Sequence, residues 1–470
     1  MLIAMEGVCV LCDWGRPSLH DDPFVGFESV RPLFVLNEAE DRWEIPRSRQ
    51  TYFRPESFAA KKGPDEFRIF CIGGSTVQGR PFAVETAFST WLEMNLDVAE
   101  PSREWETVNC GGVSYASYRL TPILEETLRH EPDLIILYTG HNEFLEERAF
   151  EHVKGRGTMI NGSLHVASRL RTFTLMREGY LRLRGESSDA PPPGRAILPE
   201  EVDALLDYRG GLEAYHRDDA HRQGVVDQFQ FNLRRMVELA KEASVPLILV
   251  NPVSNLRDAP PFKSEHRDGL TSEEKQAWES AFEEARRCYG AENRDLLKAI
   301  RLLEEARRID PLHAGGVYQL AHCYDATGQT EEAREAYREA RELDACPLRI
   351  LQVMNDAVLE IAEETETPIL DAQLLFEQRS EEGLVGGEWL LDHVHPGMNG
   401  HFVLAAEMTD LLIELELVEP VADHSDGAQQ RFQEHLDSLD DPYFQHGMDR
   451  LQSLRNWSQG RGDRVRGEVN

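Results

Sequence analysis

The sequence predicts an α/β fold: a parallel sheet covered by helices on both faces, interrupted by an all-helical insert. Three observations carry this. Short apolar runs of strand length alternate with segments whose apolar residues recur at helical spacing. The run 133–139 is apolar without alternation, the mark of a strand buried on both faces. Residues 272–347 carry helical spacing only, with small and large residues recurring at regular intervals.

Taken in order, residues 1–65 read as an irregular leader with isolated aromatics. The first strand is 67–72, followed by a helix over 87–96 with Phe88, Trp91, Leu92 and Leu96 on one face. A second strand fits 105–109, a helix 118–129, and the third strand 133–139. Residues 145–225 break the rhythm with an Arg-rich amphipathic stretch at 164–183 and a Ser/Pro-rich linker at 186–193, and read as a lid-like insertion. A helix at 226–243 and a strand at 245–251 resume it. The last strand is 368–371, a loop holds 392–395, and a closing helix covers 402–415. Residues 419–470 form a polar extension of helical fragments with a loose end. The α/β domain is thus expected in three parts, 66–144, 226–271 and 348–418.

Within the 272–347 insert, Val317, Leu320, Ala321, Tyr324, Gly328, Ala333, Tyr337, Ala340 and Pro347 follow a recurring pattern. Ala299, Leu303, Ala306 and Pro311 repeat its second half. This resembles the tetratricopeptide repeat, in which alternating small and large residues let paired helices pack closely. The resemblance implies a protein-binding surface; a hairpin that braces the α/β domain is the plainer reading.

Composition limits the partners. The apolar fraction of 41% and charged fraction of 29% are those of a globular protein. A formal charge of -34 repels phosphate backbones and anionic lipid heads, so nucleic-acid binding is not expected. Cys9, Cys12, Cys71, Cys110, Cys288, Cys323 and Cys346 form no disulfide framework, and Cys9 and Cys12 lack the second pair that a zinc site needs. Residues 1–12 are apolar but too short to span a bilayer, and lack the basic start and cleavage site of a signal peptide. Localisation stays open: extracytoplasmic or membrane-anchored if this stretch is the tail of an anchor, otherwise cytoplasmic.

The chemistry gathers at strand ends. The first strand empties into Gly73, Gly74 and Ser75, placing a hydroxyl at the carboxyl edge of the sheet, where open α/β sheets bind ligands. A serine becomes a nucleophile when an imidazole takes its proton and an acid orients the imidazole. His395 and Asp392, three residues apart, can supply both. An oxyanion site needs hydrogen-bond donors. The loop after the second strand, with Gly112 and Ser114, offers backbone N–H groups. The loop after the third strand, Gly140, His141, Asn142 and Glu143, offers a side-chain amide. Asp392, His393, His395 and His401 also admit a metal reading, but no other segment adds ligands, so no metal is expected. His393 is expected to face solvent.

These four segments, in this order, resemble the SGNH (GDSL-type) esterase and lipase family over about 65–145 and 226–415. The resemblance implies a three-layer, flavodoxin-like α/β/α sheet and a serine hydrolase without a cofactor. Ser75 would be the nucleophile, His395 the base and Asp392 the orienting acid. Asn142 and the N–H groups of Ser75 and of Ser114 or Gly112 would hold the oxyanion. Gly74 stands where the family has Asp, and Glu143 where it has Asp after Asn. The implied substrate is a small-molecule or saccharide ester, with a short acyl group on a carbohydrate or lipid. An O-acyltransferase with the same triad, and a catalytically silent scaffold acting through the repeat-like insert, are the alternatives.

Overall fold

A computed structural model describes residues 32–146, 211–290, 294–422 and 424–461, with side chains through 455. From Leu33 onward these belong to one compact unit, 33–146 with 203–470. The leader before residue 32 and most of the expected lid, 147–210, lie outside the described residues.

The described part of the leader is not irregular. Strands β1 (Val35–Asn37), β2 (Arg42–Glu44) and β3 (Ser57–Ala59) form a small antiparallel sheet. Such short strands leave no readable period, and tertiary contacts hold them. Phe34 meets Phe58 edge-on at 4.9 Å, and Phe58 meets Phe70 at 5.3 Å. The N–H groups of Leu33 and Phe34 both donate to the Glu126 carboxylate, at 2.6 and 2.8 Å.

Beyond it lies a five-stranded parallel sheet of β4 (Glu66–Gly73), β5 (Glu104–Gly111), β6 (Leu134–Tyr138), β7 (Leu247–Asn251) and β8 (Ile369–Asp371). Its order is β5-β4-β6-β7-β8, the flavodoxin-like arrangement. The register sets Gly73 level with both Gly111 and Tyr138, so the loops after β4, β5 and β6 leave the same edge together. Alternate side chains face opposite layers. Ile69, Cys71 and Ile136 pack against α2 (Phe88–Ala99) and α11 (Met398–Glu414) through Trp91, Leu92, Leu96, Leu404 and Met408. Helices α3 (Ser117–Thr127), α4 (Asp219–Glu242) and α9 (Gln352–Glu364) pack together on the other side and reach β4 and β7. Two short helices complete the layers, α1 (Ser75–Gln78) after β4 and α10 (Ala372–Arg379) after β8. Helix α4 begins seven residues before the expected 226 because Asp218 caps it, accepting from the His221 N–H.

The insert forms two helical hairpins, α5 (Ser272–Gly290) with α6 (Leu296–Ile309) and α7 (Ala314–Ala326) with α8 (Thr330–Glu342). Ala299, Ala306, Ala321, Ala333 and Ala340 sit fully buried in its core, where their small size lets helix axes approach while Leu303, Leu320 and Tyr337 fill the space between. Leu256 and Leu384, from loops of the α/β part, complete this core. Two more helices follow, α12 (His424–Ser438) and α13 (Asp441–Arg461). Phe432 of α12 packs on Trp91 at 4.5 Å and on Phe402 at 4.3 Å, which docks α12 on the α/β part. Among the described residues no helix is long and apolar enough to cross a membrane.

One buried histidine makes stability pH-dependent. His130 lies among Phe34, Trp43 and Phe58, and burial, with Arg68 and Arg129 nearby, pushes it down to about 4. Unfolded, it titrates near 6.5. Between these values the unfolded chain binds a proton that the folded one refuses, so acidification through this window favours unfolding, by about 3 kcal/mol at most. Relative to His130→Phe, the wild-type protein should lose about 1 to 2 kcal/mol between pH 7 and pH 4 in urea unfolding, less than the maximum because solvent partly screens the ring. A pH-independent difference would contradict this.

Candidate active site

The site begins at the end of β4. A Cβ on Gly73 would lie 2.2 Å from the Tyr138 carbonyl oxygen and 2.3 Å from Val77, so nothing larger fits between β6 and α1. A Cβ on Gly74 would lie 2.7 Å from Asn142 Nδ2. The Asn142 amide thus occupies the space that a side chain at this position would enter. Helix α1 is fixed from two sides. Asn109 Nδ2 donates to the Val77 carbonyl (2.8 Å), and Gln78 Nε2 donates to those of Tyr52 (2.7 Å) and Gly111 (3.2 Å). Ser75 therefore sits at a rigid turn, 8% exposed.

The three residues read as nucleophile, base and acid converge. Ser75 Oγ lies 2.7 Å from His395 Nε2, and His395 Nδ1 lies 2.6 Å from Asp392 Oδ2. Asp392 Oδ1 accepts the N–H groups of Val394 (2.9 Å) and His395 (2.8 Å), so both carboxylate oxygens are committed to the loop that carries the base. Burial pushes the Asp392 carboxyl up, but the His395 and His393 rings and these hydrogen bonds outweigh it and hold it well below the ordinary carboxylate range. Asp392 is therefore an anion at any working pH and requires a proton on His395 Nδ1, leaving Nε2 free to accept from Ser75.

Asn255 holds this loop in place. Its N–H donates to the His393 carbonyl (3.0 Å) and its Nδ2 to that of Asp392 (3.1 Å). Arg349, itself buried, donates to the carbonyls of Asn255 (2.8 Å) and Ala259 (2.7 Å). No motif marks Asn255; only the fold shows its part. His393 does not face solvent as expected. Its side chain is 10% exposed, meets the Phe262 ring at 5.0 Å and lies 3.6 Å from Asp392 Oδ1. Burial pushes it down to about 4, so it is neutral near pH 7. Among the described residues no group of three His, Cys, Asp or Glu side chains could hold a metal ion.

The oxyanion candidates divide. The Gly112 N–H donates to the Gly73 carbonyl (2.9 Å) and is spent in joining the two strand ends, which corrects Gly112 as a donor. Ser114 has φ +63°, a left-handed turn, and its N–H has no acceptor among the described residues. Asn142 Nδ2 donates to the Tyr115 carbonyl (3.0 Å), which leaves its second amide hydrogen for a ligand. Glu143 anchors this loop. Its carboxylate accepts the Ser117 N–H (2.7 Å) and Oγ–H (3.0 Å) at the start of α3, a span that the longer Glu side chain bridges. His141 is buried, and its Nδ1 accepts the Ile350 N–H (3.3 Å).

Comparison with known proteins adds two findings. The tetratricopeptide repeat family model matches residues 291–347, the part of the helical insert that holds α6, α7 and α8. Among solved structures, the chain is similar to an acetylxylan esterase from Geobacillus stearothermophilus at 13% identity, covering 74% of this chain and 94% of the other, with TM-score 0.30. It is also similar to a lipase/acylhydrolase from Enterococcus faecalis (11% identity, covering 76% and 98%, TM-score 0.33). A third is LAE5, an alpha/beta hydrolase enzyme from the metagenome of Lake Arreo, Spain (13% identity, covering 73% and 94%, TM-score 0.31). No curated protein matches the sequence.

Proposed function

We propose that the chain is an SGNH-type serine hydrolase that cleaves a short-chain acyl ester of a carbohydrate or lipid. Its catalytic unit comprises 66–144, 226–271 and 348–418, around the repeat-containing insert. The observation that carries this reading is the unbroken path from Ser75 Oγ through His395 to Asp392, with both contacts below 2.8 Å.

In the proposed reaction Ser75 Oγ attacks the acyl carbon while His395 Nε2 takes its proton. The carbonyl oxygen gains charge as its double bond opens, and the N–H groups of Ser75 and Ser114 and the Asn142 amide stabilise it. Collapse of this intermediate expels the alcohol, which receives the proton from His395 and leaves an acyl group on Ser75. Water, deprotonated by His395, then attacks the acyl carbon and releases the acid. Asp392 orients His395 and stabilises its protonated form throughout.

The test is a covalent one. A fluorophosphonate probe phosphonylates an activated serine, so peptide mapping of the labelled protein should place the adduct on Ser75. Labelling at another residue, or none, would overturn the reading.

A further inference from the structure

Three arginines gather beside the nucleophile without a counter-ion among the described residues. Arg54 precedes β3, Arg80 follows the turn after α1, and Arg450 comes from α13. Arg54 Nη2 (3.4 Å) and Arg450 Nη1 (2.8 Å) donate to the same oxygen, the carbonyl of Phe82, which sets two guanidinium groups side by side. The Arg80 N–H donates to the Ser75 carbonyl at 3.2 Å, tying its backbone to the nucleophile. The Nε atoms of Arg54 and Arg80 are closed off from solvent and have no acceptor. All three side chains are otherwise only half-buried, so the cluster is open to a ligand.

The absence of a paired acid is pointed. The chain holds 84 acidic residues against 50 basic ones, and other buried arginines find carboxylates, as Arg68 does with Glu106 at 2.6 Å and Arg119 with Glu146 at 2.6 Å. Among the described residues Arg54, Arg80 and Arg450 make no ion pair. Burial and the other arginines lower the affinity of Arg54 and Arg80 for their protons, while Glu85 and Asp392 act on them only from a distance. Neighbouring like charges out of water raise the energy of the empty protein, and an anion bound between them relieves it. Guanidinium forks suit carboxylate, phosphate and sulfate alike.

The cluster also lies on the catalytic edge. Arg80 is near enough to Asp392 to feel its charge, and Arg455 of α13 donates to the carbonyl of Leu391, next to Asp392, at 3.4 Å. We propose that Arg54, Arg80 and Arg450 form a subsite for an anionic group of the substrate, so that the preferred ester carries a carboxylate, phosphate or sulfate near the bond that is cleaved. This rests on the hydrolase reading and supplies the substrate class that the triad leaves undefined. A protein of net charge -34 otherwise repels such a substrate.

The test compares kcat/KM for two ester pairs that differ in charge. One sets 4-acetoxybenzoate against its methyl ester, the other the 4-nitrophenyl monoester of succinate against 4-nitrophenyl butyrate. The wild-type protein should favour an anionic member by roughly 10- to 100-fold, the worth of a charge-assisted contact. The preference should collapse in Arg80→Gln and Arg450→Gln, survive in Arg80→Lys and in the distant Arg234→Gln, and shrink as salt is raised. No preference in the wild type, or one indifferent to both glutamine variants, overturns the proposal. Inorganic phosphate should compete with the anionic ester; phosphate that binds without competing marks a free-anion effector site and overturns the substrate assignment. A readout independent of turnover is the thermal shift caused by phosphate in Ser75→Ala, which should vanish in Ser75→Ala/Arg80→Gln. A shift that needs Arg80, in a wild-type protein that cleaves no ester, sinks the hydrolase reading and with it the substrate assignment, leaving only an anion site. Ester turnover without that shift sinks the subsite alone.

Discussion

Ser75→Ala is expected to lower kcat for acetyl-ester hydrolysis about a million-fold, the scale set by loss of the nucleophile in a triad. Ser75 Oγ has its closest partner in His395 Nε2, so the substitution removes the attacking atom and leaves the oxyanion donors of the neighbouring loops in place. Residual catalysis of about 1000- to 10,000-fold over water should therefore remain. Substrate binding should change little, because Ser75 is largely buried and helix α1 is fixed by Asn109 and Gln78. Members of a triad act as a unit, so Ser75→Ala/His395→Ala should be no slower than Ser75→Ala alone. A loss below ten-fold, or a double variant slower by a further large factor, would show that Ser75 and His395 do not work on the same proton.

Asp392→Asn is expected to reduce kcat about 10,000-fold with little change in the shape of the site. The reason lies in the direction of its hydrogen bonds. Asp392 accepts three donors, the N–H groups of Val394 and His395 and the His395 Nδ1–H. An asparagine that keeps its oxygen on the two backbone N–H groups turns an NH2 toward Nδ1. That nitrogen must then accept, and the proton moves to Nε2, where it points at Ser75 and prevents the base from working. Nitrogen chemical shifts of His395 would report the change of tautomer directly. If the variant keeps the Nδ1 proton, or retains more than a tenth of the activity, the orienting role fails. Because Asp392 stays ionised far into the acid range, any acid limb in the wild-type rate profile has to come from another group.

The sequence displayed some layers of this molecule and hid others for definable reasons. β6 and β7 are buried on both faces, and their unbroken apolar runs are legible without knowledge of neighbours. The small sheet at 35–59 is not, because its strands are three residues long and depend on Phe70 and Glu126 from the main layer. α9 carries a helical pattern in Met354, Ala357, Val358 and Ile361, short enough to be masked by the polar residues around it. At the site, motifs pointed to Ser75, His395 and Asp392, which the fold brings into contact, and to Asn142 and Ser114 as candidate donors. Gly112 could not be separated from Ser114, since only the register of β4 and β5 shows which N–H is consumed. Asn255 had no local signature, and the three arginines are spread from 54 to 450, so only folding brings them together.

The attachment of the helical insert has a consequence for how this chain can be taken apart. Three consecutive residues, 255 to 257, serve both halves between them. Asn255 clamps the Asp392 loop, Leu256 is part of the insert's apolar core, and Arg257 grips Asp325 of α7 with two bonds of 2.8 and 2.9 Å. Tyr318 of α7 closes the joint by donating to the Arg257 carbonyl at 2.7 Å. A seam placed at the first residue of α5 would follow the order of the chain but cut across its mechanics. Whoever exchanges these hairpins for others must rebuild a socket for Leu256 and an acid for Arg257, because the repeats are joined to the residues that brace the Asp392 loop rather than hung from the surface.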